Sequence, residues 1–316
     1  MSADLSQFNP EVSIPRLAVK LQGGIGNQVF QWCFGEAMAA GSGLNVSYLV
    51  DAFATDPYGR KNIINSLFPA SSLHVQSDVA TGQSRLLGES MLNGSILTPL
   101  GLHKMLRSQQ VDVCILDGYW QDNAYVNVDC LKRLRAAMST LAASSESTRF
   151  AHCAQQLAQC QMPVAMHVRR HDYRHHGICR ESYYIDCARW FCQQNPNASV
   201  LVFSDEPNYT GHFLRAAGIA HQLIYSGDDL LDLYLMSRCR MHIIANSSFS
   251  WWGARLALSE RTIYPLPWSQ VQAPSNNMFP PEWHGLDDAV TFGTDQVSFT
   301  AALYSLASDR SIPAPI

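Results

Sequence analysis

The chain of 316 residues is 47% apolar and 15% charged, with 22 Lys plus Arg against 26 Asp plus Glu for a formal charge of −4. This composition describes a folded globular protein and excludes disordered chains and small disulfide-stapled scaffolds. The mildly acidic balance argues against a nucleic-acid partner, because a general nucleic-acid binder needs a concentrated basic surface. At about 150 residues per domain, the length predicts two domains.

The first residues contain no Lys or Arg before Arg16 and no apolar run of signal-peptide length. No uninterrupted apolar stretch approaches the roughly 20 residues needed to cross a bilayer. We therefore expect a cytoplasmic protein with no integral membrane segment, which contacts the inner face of a membrane only peripherally if its substrate is lipid-linked. Nine cysteines without a C-x-x-C pair indicate reduced thiols, not a zinc ribbon or a redox site.

In chain order, short β-branched runs alternate with helix-like segments. This alternation predicts an α/β fold of βαβ units, with buried parallel strands and helices on both faces of each sheet. A polar, Ser- and Ala-rich stretch at 142–160 precedes a fresh βαβ series and predicts a boundary between Rossmann-like domains at 1–155 and 156–316. The predicted strands are 17–21, 46–50, 113–116, 164–168, 200–203, 221–224, 241–245 and 262–264, and the predicted helices are 28–40, 129–141, 182–194, 208–217, 228–237 and 251–259.

The first motif is GGIGNQ at 23–28, which follows the first strand and opens a helix. Gly24 and Gly26 let the backbone turn tightly and approach a ligand at a helix N-terminus. Asn27 and Gln28 are polar groups that either cap the helix or contact a substrate. Ligands of such sheets bind at the carboxyl ends of the strands, so the turn is a candidate binding element.

The same turn partly matches the dinucleotide-binding pattern G-x-G-x-x-G, although Val29 stands where the third small residue belongs. Asp51 ends the next predicted strand, as a ribose-binding acid would. An NAD-dependent oxidoreductase that uses Gly24, Gly26 and Asp51 therefore stays open, and so does a turn without a ligand.

The second motif is HVRRHDYR, in which His167 and Val168 end a predicted strand. Arg169 and Arg170 offer planar, permanently charged forks for a diphosphate and can neutralise the charge that develops on a leaving group. A surface salt-bridge cluster is the alternative. The neighbouring arginines would repel a cation, so we expect no metal at the nearby residues His171, His175, His176 and Cys179.

The third motif, FSDE, ends another strand. Its polar residues Ser204, Asp205 and Glu206 can accept hydrogen bonds from a nucleobase or ribose, or can cap a helix without any ligand.

The fourth motif, NSSFSWWGA, places hydroxyls and free backbone N–H groups at a helix N-terminus, which favours an anion site over an ordinary Ser-rich cap. Its candidate donor-binding residues are Asn246, Ser247, Ser248 and Ser250. The chain contains no D-x-D pair and no phosphate-binding P-loop, so we expect the arginines to take the place of a metal.

The strings LQGGIGNQVFQ, HVRRHDY, FSDE and IIANSSFSWWGA occur in this order over roughly residues 17 to 270. In this arrangement they resemble glycosyltransferase family 11, the α-1,2-fucosyltransferases. The resemblance implies a GT-B type fold, with two Rossmann-like domains whose parallel sheets face a central cleft and a C-terminal tail that returns toward the first domain. The sequence of the tail itself predicts a helix at 298–308. It also implies inverting transfer of L-fucose from GDP-β-L-fucose to the 2-hydroxyl of a terminal galactoside, with no metal and no cofactor.

The H-x-R-R-x-D string is also similar to that of α-1,6- and protein O-fucosyltransferases, where its first arginine grips the diphosphate. The resemblance therefore assigns that role to Arg169, assisted by Arg170 and the turn at 247–250. His171 departs from the family pattern, which more often has Gly there, and we expect it to reshape the fucose pocket.

Asp172, the carboxylate nearest to this motif, is the first candidate for the acceptor of the hydroxyl proton, and Asp117 is its rival. Tyr119 and Trp120 suit stacking on an acceptor sugar, with core packing as an equal alternative.

Three functions therefore compete. A fucosyltransferase binds GDP-fucose and a galactose-terminated oligosaccharide, an oxidoreductase binds NAD(H), and a glycan-binding module needs no nucleotide. The arginine pair favours the first, because neither alternative has a use for a diphosphate clamp.

Overall fold

The computed structural model describes residues 15–75, 83–92, 95–108, 111–170, 177–269, 275, 277–291 and 303. The chain divides into two compact units. Unit 1 comprises Met1–Trp120 and Ala124–Cys130, and unit 2 comprises Gln121–Asn123 and Leu131–Ile316.

Unit 1 contains a five-stranded parallel sheet in the order β3-β2-β1-β5-β4. Leu17, Ala18 and Val19 of the central strand are fully buried, as expected for a strand covered on both faces. Its strands are β1 (Arg16–Lys20), β2 (Asn45–Leu49), β3 (Leu73–His74), β4 (Ser84–Gly88) and β5 (Val113–Asp117), and its helices are α1 (Ile25–Ser42), α2 (Ile64–Leu67) and α3 (Pro99–Ser108).

Unit 2 contains a six-stranded parallel sheet in the order β12-β11-β10-β6-β8-β9 and a two-stranded antiparallel sheet of β13 and β7. Helix α4 (Val128–Ala143) begins in unit 1 and continues into unit 2. The remaining strands are β6 (Met162–Val168), β7 (Ile178–Cys179), β8 (Ala198–Ser204), β9 (His221–Leu223), β10 (Met241–Ile243), β11 (Arg261–Pro265), β12 (His284–Leu286) and β13 (Val290–Thr291), and the remaining helices are α5 (Thr148–Ala158), α6 (Glu181–Gln194), α7 (Pro207–Ala216), α8 (Asp229–Ser237) and α9 (Ser248–Leu256).

The register of unit 2 brings three motifs to one edge of the sheet. His167 lies beside Phe203 in the β6–β8 pair, and Ile243 lies beside Met166 in the β10–β6 pair. Because all three strands run parallel, the residues that follow them meet at this edge, which we call the carboxyl edge of unit 2.

The predicted fold class is confirmed: the protein is α/β, with a parallel sheet in each of two Rossmann-like units, as in the GT-B type. The predicted cleft stays a prediction. All eight predicted strands are present with ends within two residues of the prediction, and all six predicted helices are present with ends within three residues. The prediction missed β3, β4, β7, β12, β13, α2, α3 and α5. Most of the missed strands have only two or three residues, which is too short for a recognisable apolar run. Strand β4 is longer, but its residues Ser84, Arg85 and Leu86 are exposed, so it shows no buried apolar run either.

The units divide earlier than the predicted boundary at 155/156. The polar stretch that suggested this boundary is largely helix α5. Ser147 caps that helix by accepting a hydrogen bond from the Phe150 backbone N–H at 3.2 Å. Phe150 and Cys153 pack into a core cluster of unit 2 with Ala165 and Leu201. The Ser and Ala residues therefore cap and build an amphipathic helix and do not form a linker.

Of the predicted tail helix at 298–308, the structure describes Leu303, which is buried in the core of unit 2. The return of the tail toward the first domain stays a prediction. Within the described residues, no helix is both long and apolar enough to cross a membrane.

Candidate functional site

Asp205 holds the two arginines at the carboxyl edge of unit 2. Its Oδ1 accepts a hydrogen bond from the Arg170 backbone N–H at 3.1 Å, and its Oδ2 lies 3.3 Å from Arg169 Nε. The neighbouring positions of Val168 and Ser204 in the β6–β8 pair make this contact possible. The sequence predicted Asp205 as an acceptor for a nucleobase or ribose, whereas the structure shows its carboxylate orienting the arginine loop.

Arg170 is held from two further sides. The carbon of its guanidinium lies 4.1 Å from the centre of the Tyr209 ring, which is a cation–π arrangement. Its Nε lies 3.4 Å from Glu206 Oε2, an ion pair without hydrogen-bond geometry. The Tyr209 hydroxyl donates to Glu181 Oε1. These contacts fix a positive charge at the edge of the sheet.

His167 is buried, with 4% of its surface exposed, and its ring lies 5.3 Å from that of Phe249 between centroids. Burial, and then the positive charge of Arg169, lower the pKa of His167 to about 3. The ring is therefore neutral at pH 7, with one nitrogen as donor and the other as acceptor. Its Nδ1 finds no hydrogen-bond partner among the residues described. His167 can offer a ligand a hydrogen bond but not a charge.

Two members of the fourth motif brace the backbone. Asn246 Nδ2 donates to the Gly177 carbonyl at 3.0 Å, and its Oδ1 accepts from Cys179 Sγ at 3.4 Å. Ser250 Oγ lies 3.0 Å from the carbonyl oxygens of both Ala245 and Ser247. The prediction that Asn246 and Ser250 bind the donor is therefore not supported, since neighbouring groups occupy both side chains.

Ser247 and Ser248 remain candidates for an anion contact, because they begin α9. Ser247 is the N-cap, and its side chain makes no capping hydrogen bond. The N-terminus of a helix attracts negative charge through its free N–H groups and its dipole.

The glycine turn of unit 1 is built around Gln28, which is 1% exposed. Its Nε2 donates to the carbonyls of Gly23 and Lys61, each at 3.0 Å, and its Oε1 accepts from the Ile63 backbone N–H at 2.9 Å. Gln28 therefore ties two loops together, and its predicted contact with a substrate is wrong. Gly26 is likewise buried, in the first turn of α1.

The other residues predicted at this turn lie beside open space or beside Tyr119. A Cβ placed on Gly24 would meet no atom within 4 Å, so the backbone is accessible there. Gly23 has a positive φ of 77°, and a Cβ placed on it would lie 2.7 Å from Asn27 Nδ2 and 3.2 Å from Tyr119 Cε1. Gly23, Asn27 and Tyr119 thus lie together, and we call them the Tyr119 group.

Trp120 belongs to the core. It is 0% exposed and stacks on Phe34 at 3.9 Å between ring centroids, with an interplanar angle of 3°. Its predicted stacking on an acceptor sugar is therefore wrong, and the core alternative is right. Tyr119 is 41% exposed and keeps its predicted role as a candidate.

Asp117, one of the two candidate bases, is paired with a lysine. Its Oδ2 lies 2.8 Å from Lys20 Nζ, and its Oδ1 accepts from Gln22 Nε2 at 3.3 Å. The other candidate, Asp172, lies outside the described residues, together with His171, His175 and His176. The assignment of the base stays a prediction.

Sequence reasoning missed Asp229, at the start of α8. Burial and the adjacent Asp228 raise the pKa of Asp229, while Arg169 acts in the opposite direction, which places the carboxylate within electrostatic reach of the arginine. The Asp pair after β9 was the available signal, but an N-cap explains it equally well: Asp228 caps α8 by accepting from the Leu230 and Leu231 N–H groups. Tyr209 was also missed, since a single Tyr early in a helix carries no pattern.

A cavity of about 240 Å³ lies at the other end of the unit 2 sheet, where Arg240 precedes β10. Arg135, which lines it, donates to the carbonyls of Leu256 and Ala257 at the end of α9. Arg238, also in the lining, ends α8. These arginines complement the negative ends of two helices, which explains them without a ligand.

The described residues contain no group of three His, Cys, Asp or Glu side chains arranged to hold a metal ion. Transfer without a metal stays a prediction.

The profile of glycosyl transferase family 11 matches residues 116–287. An α-1,2-colitosyltransferase of Escherichia coli is 28% identical over 282 residues, which cover 80% of this chain and 92% of that protein. The O-antigen biosynthesis glycosyltransferase WbnK of Escherichia coli is 30% identical over 115 residues, which cover 33% of this chain and 37% of that protein.

Solved structures show looser likenesses. The fucosyltransferase NodZ from Bradyrhizobium is 10% identical, with a TM-score of 0.47 and coverage of 77% of this chain and 93% of NodZ. POFUT1 in complex with GDP-fucose is 11% identical, with a TM-score of 0.44 and coverage of 77% and 95%. The family profile spans more than half of the chain and includes the whole carboxyl edge of unit 2. The protein therefore belongs to glycosyltransferase family 11.

Proposed function

We propose that the protein is an inverting α-1,2-fucosyltransferase that moves L-fucose from GDP-β-L-fucose to the 2-hydroxyl of a terminal galactoside, without a metal ion. One observation carries this proposal: Arg169 and Arg170 stand side by side at the end of β6 and are held there by Asp205. When the bond between sugar and GDP breaks, negative charge develops on the diphosphate. Fixed guanidinium groups stabilise such charge because they need not reorganise during the reaction.

The arginines are preorganised for this task. Asp205 contacts Arg169 through Nε and Arg170 through its backbone N–H. Each guanidinium carries five N–H donors in a planar fork, so a contact at Nε leaves donor capacity for a diphosphate oxygen. The N-terminus of α9, at Ser247 and Ser248, adds a partial positive charge at the same edge of the sheet. Together these groups replace the neutralisation that a metal would supply.

The acceptor binds beside Tyr119 and Asn27 in this proposal. Its hydroxyl oxygen forms a bond to the anomeric carbon from the face opposite GDP, and the electron pair of the breaking C–O bond leaves with GDP. The hydroxyl proton passes to a carboxylate. Asp172 is the first candidate for this carboxylate. Asp117 would have to give up its 2.8 Å contact with Lys20 to serve as the base.

The colitosyltransferase relative supports an α-1,2 linkage and also raises a second donor. Colitose is a fucose that lacks the 3-hydroxyl, so the same diphosphate clamp would accept either nucleotide sugar. We propose fucose as the donor sugar and a galactose-terminated oligosaccharide as the acceptor, with peripheral membrane contact if that acceptor is lipid-linked. Parallel assays with GDP-fucose and GDP-colitose decide between the donors. A higher kcat/KM with GDP-colitose would overturn the choice of fucose.

The decisive experiment mixes the purified protein with GDP-fucose and lactose in the presence of EDTA and detects product by mass spectrometry. We expect a fucosylated trisaccharide from the wild type and, over the same reaction time, about 100- to 1,000-fold less from Arg169→Ala. Arg238→Ala is the matched control, because it removes an exposed arginine at the opposite end of the unit 2 sheet. It should leave turnover unchanged.

Other outcomes separate the alternatives. Release of GDP without a trisaccharide would retain the donor and exclude lactose as the acceptor. A protein that binds NAD(H) and not GDP would overturn the proposal in favour of an oxidoreductase. Glycan binding that is indifferent to nucleotide would favour a glycan-binding module.

A further inference from the structure

The turn at Gly118 to Trp120, which follows β5 and carries Tyr119, has an unusual backbone. Trp120 has a positive φ of 54°. A bulky residue adopts this conformation only where its surroundings enforce it. The buried stack of Trp120 on Phe34 supplies one restraint. Gln31 supplies a second, since its Nε2 donates to the Gly118 carbonyl at 2.9 Å.

The third restraint is Glu89, which directly follows β4. Its Oε2 accepts hydrogen bonds from the Tyr119 backbone N–H at 2.8 Å and from the Trp120 backbone N–H at 3.0 Å. The pairing of β4 with β5, which sets Gly88 beside Asp117, brings it to the turn. The fit is close, because a Cβ on Gly118 would lie 2.4 Å from Glu89 Cβ. One carboxylate oxygen thus fixes two consecutive N–H groups of a strained turn.

The restraints determine where the Tyr119 ring stands. With Trp120 anchored in the core, the turn sends the preceding side chain outward, where 41% of Tyr119 is exposed. The ring then lies against Gly23 and beside Asn27 in the Tyr119 group. Loss of the two hydrogen bonds would free the backbone that carries this ring.

We propose that Glu89 is a positioning residue for the acceptor: it holds the turn that places Tyr119 against the glycine turn of unit 1. This inference rests on the proposed function, because it takes Tyr119 to contact the acceptor sugar. Glu89 acts through two backbone N–H groups and takes no proton.

Steady-state kinetics with lactose and GDP-fucose varied in turn test the inference. We expect Glu89→Ala to raise the KM for lactose about tenfold and to leave the KM for GDP-fucose within about twofold. Glu89→Gln keeps a side-chain oxygen that can accept both N–H bonds, so its KM for lactose should stay within about threefold of the wild type. Glu89→Ala combined with Tyr119→Ala should be no worse than Tyr119→Ala alone, because both changes remove one function.

Hydrogen exchange provides a readout that needs no turnover. The amides of Tyr119 and Trp120 should exchange faster in Glu89→Ala and at the wild-type rate in Glu89→Gln. If Glu89→Ala fails to fold, Glu89→Asp takes its place, since the shorter side chain cannot reach both N–H groups and should give the same pattern.

An unchanged KM for lactose in Glu89→Ala, unchanged exchange, or additive effects in the double variant would overturn the inference. A kcat lost equally in Glu89→Gln and Glu89→Ala, together with loss of the acidic limb of the pH–rate profile, would overturn it in favour of a proton acceptor. Failure of the proposed function looks different, because the wild type itself would then form no product.

Discussion

The carboxyl edges of the two sheets differ in what their polar side chains bind. In unit 2, charged groups bind one another, as Asp205 does with Arg169 and Arg170. In unit 1, the buried amide side chains bind backbone, as Gln28 and Gln31 do with the loops around them, and the charged groups Lys20 and Asp117 form a one-to-one ion pair. A guanidinium that is paired with a carboxylate through one N–H group has further N–H donors that can bind an anionic ligand. An amide side chain that satisfies buried backbone groups is not available to bind a ligand. One edge is thus prepared for a charged ligand, and the other shapes a loop that suits a neutral one.

The largest effect should come from substitutions of Arg169. They test whether the carboxyl edge of unit 2 acts through its positive charge alone or also through the planar shape of the guanidinium. We expect Arg169→Ala to lower kcat about 100- to 1,000-fold, because it removes a preorganised donor for the departing diphosphate. Arg169→Lys keeps the charge but loses the planar fork and should recover only part of this loss. Rate assays at saturating donor measure both, and full recovery in the Lys variant would show that geometry at this position does not matter.

A substitution of Gln28 tests whether the amide side chains of unit 1 stabilise the fold. Gln28→Ala leaves the Gly23 and Lys61 carbonyls and the Ile63 N–H unpaired, and we expect it to lower the free energy of unfolding by about 2–3 kcal/mol. Urea denaturation measures the change, with Gln222→Ala on the exposed surface of β9 as a control within about 0.5 kcal/mol of the wild type. The KM for donor should stay unchanged in the folded variant, and a rise would contradict a purely structural Gln28.

Acid should weaken unit 2 through its two buried histidines. Burial first, and then Arg169, lower the pKa of His167 to about 3, and burial lowers that of His242 to about 4. Because the unfolded chain binds protons near pH 6.5, stability is present above that pH and is lost as the pH falls toward these values. Between pH 7 and pH 5 we expect each histidine to lower the free energy of unfolding by about 2 kcal/mol.

The measurement is the slope of stability against pH. His167→Gln and His242→Gln should each reduce the loss of unfolding free energy between pH 7 and pH 5 by about 2 kcal/mol, whatever their effect on stability at pH 7. A slope that neither change alters would contradict neutral, buried imidazoles in this unit.

The smallest effect concerns Tyr209, beneath Arg170. Tyr209→Leu removes the ring and should raise the KM for donor about fivefold, which corresponds to about 1 kcal/mol of cation–π stabilisation. Tyr209→Phe keeps the ring and loses only the hydrogen bond to Glu181, so it should stay within about twofold. Equal effects of the two substitutions would place the contribution in the hydroxyl and not in the ring.

Much of the fold was predictable because buried strands carry a local signal. The central strands β1, β6, β8 and β10 are mostly apolar, and each is followed by a polar motif that is recognisable in the sequence. Short strands such as β3 and β12 carry no such run, and the Ser-rich stretch before β6 resembled a linker because helix α5 is amphipathic and half-exposed.

The sequence by itself determined which residues end the parallel strands, and therefore which motifs share an edge and which of them carry fixed charge. Only the tertiary structure decided which polar and aromatic side chains face outward and which brace the fold. Ser250 and Gln28 turn to nearby carbonyls, Trp120 finds Phe34, and Tyr119 depends on Glu89. The physical reason is that both roles use the same residue types. A hydroxyl, an amide or an aromatic ring is assigned to one role by partners that come, in most of these cases, from distant parts of the chain.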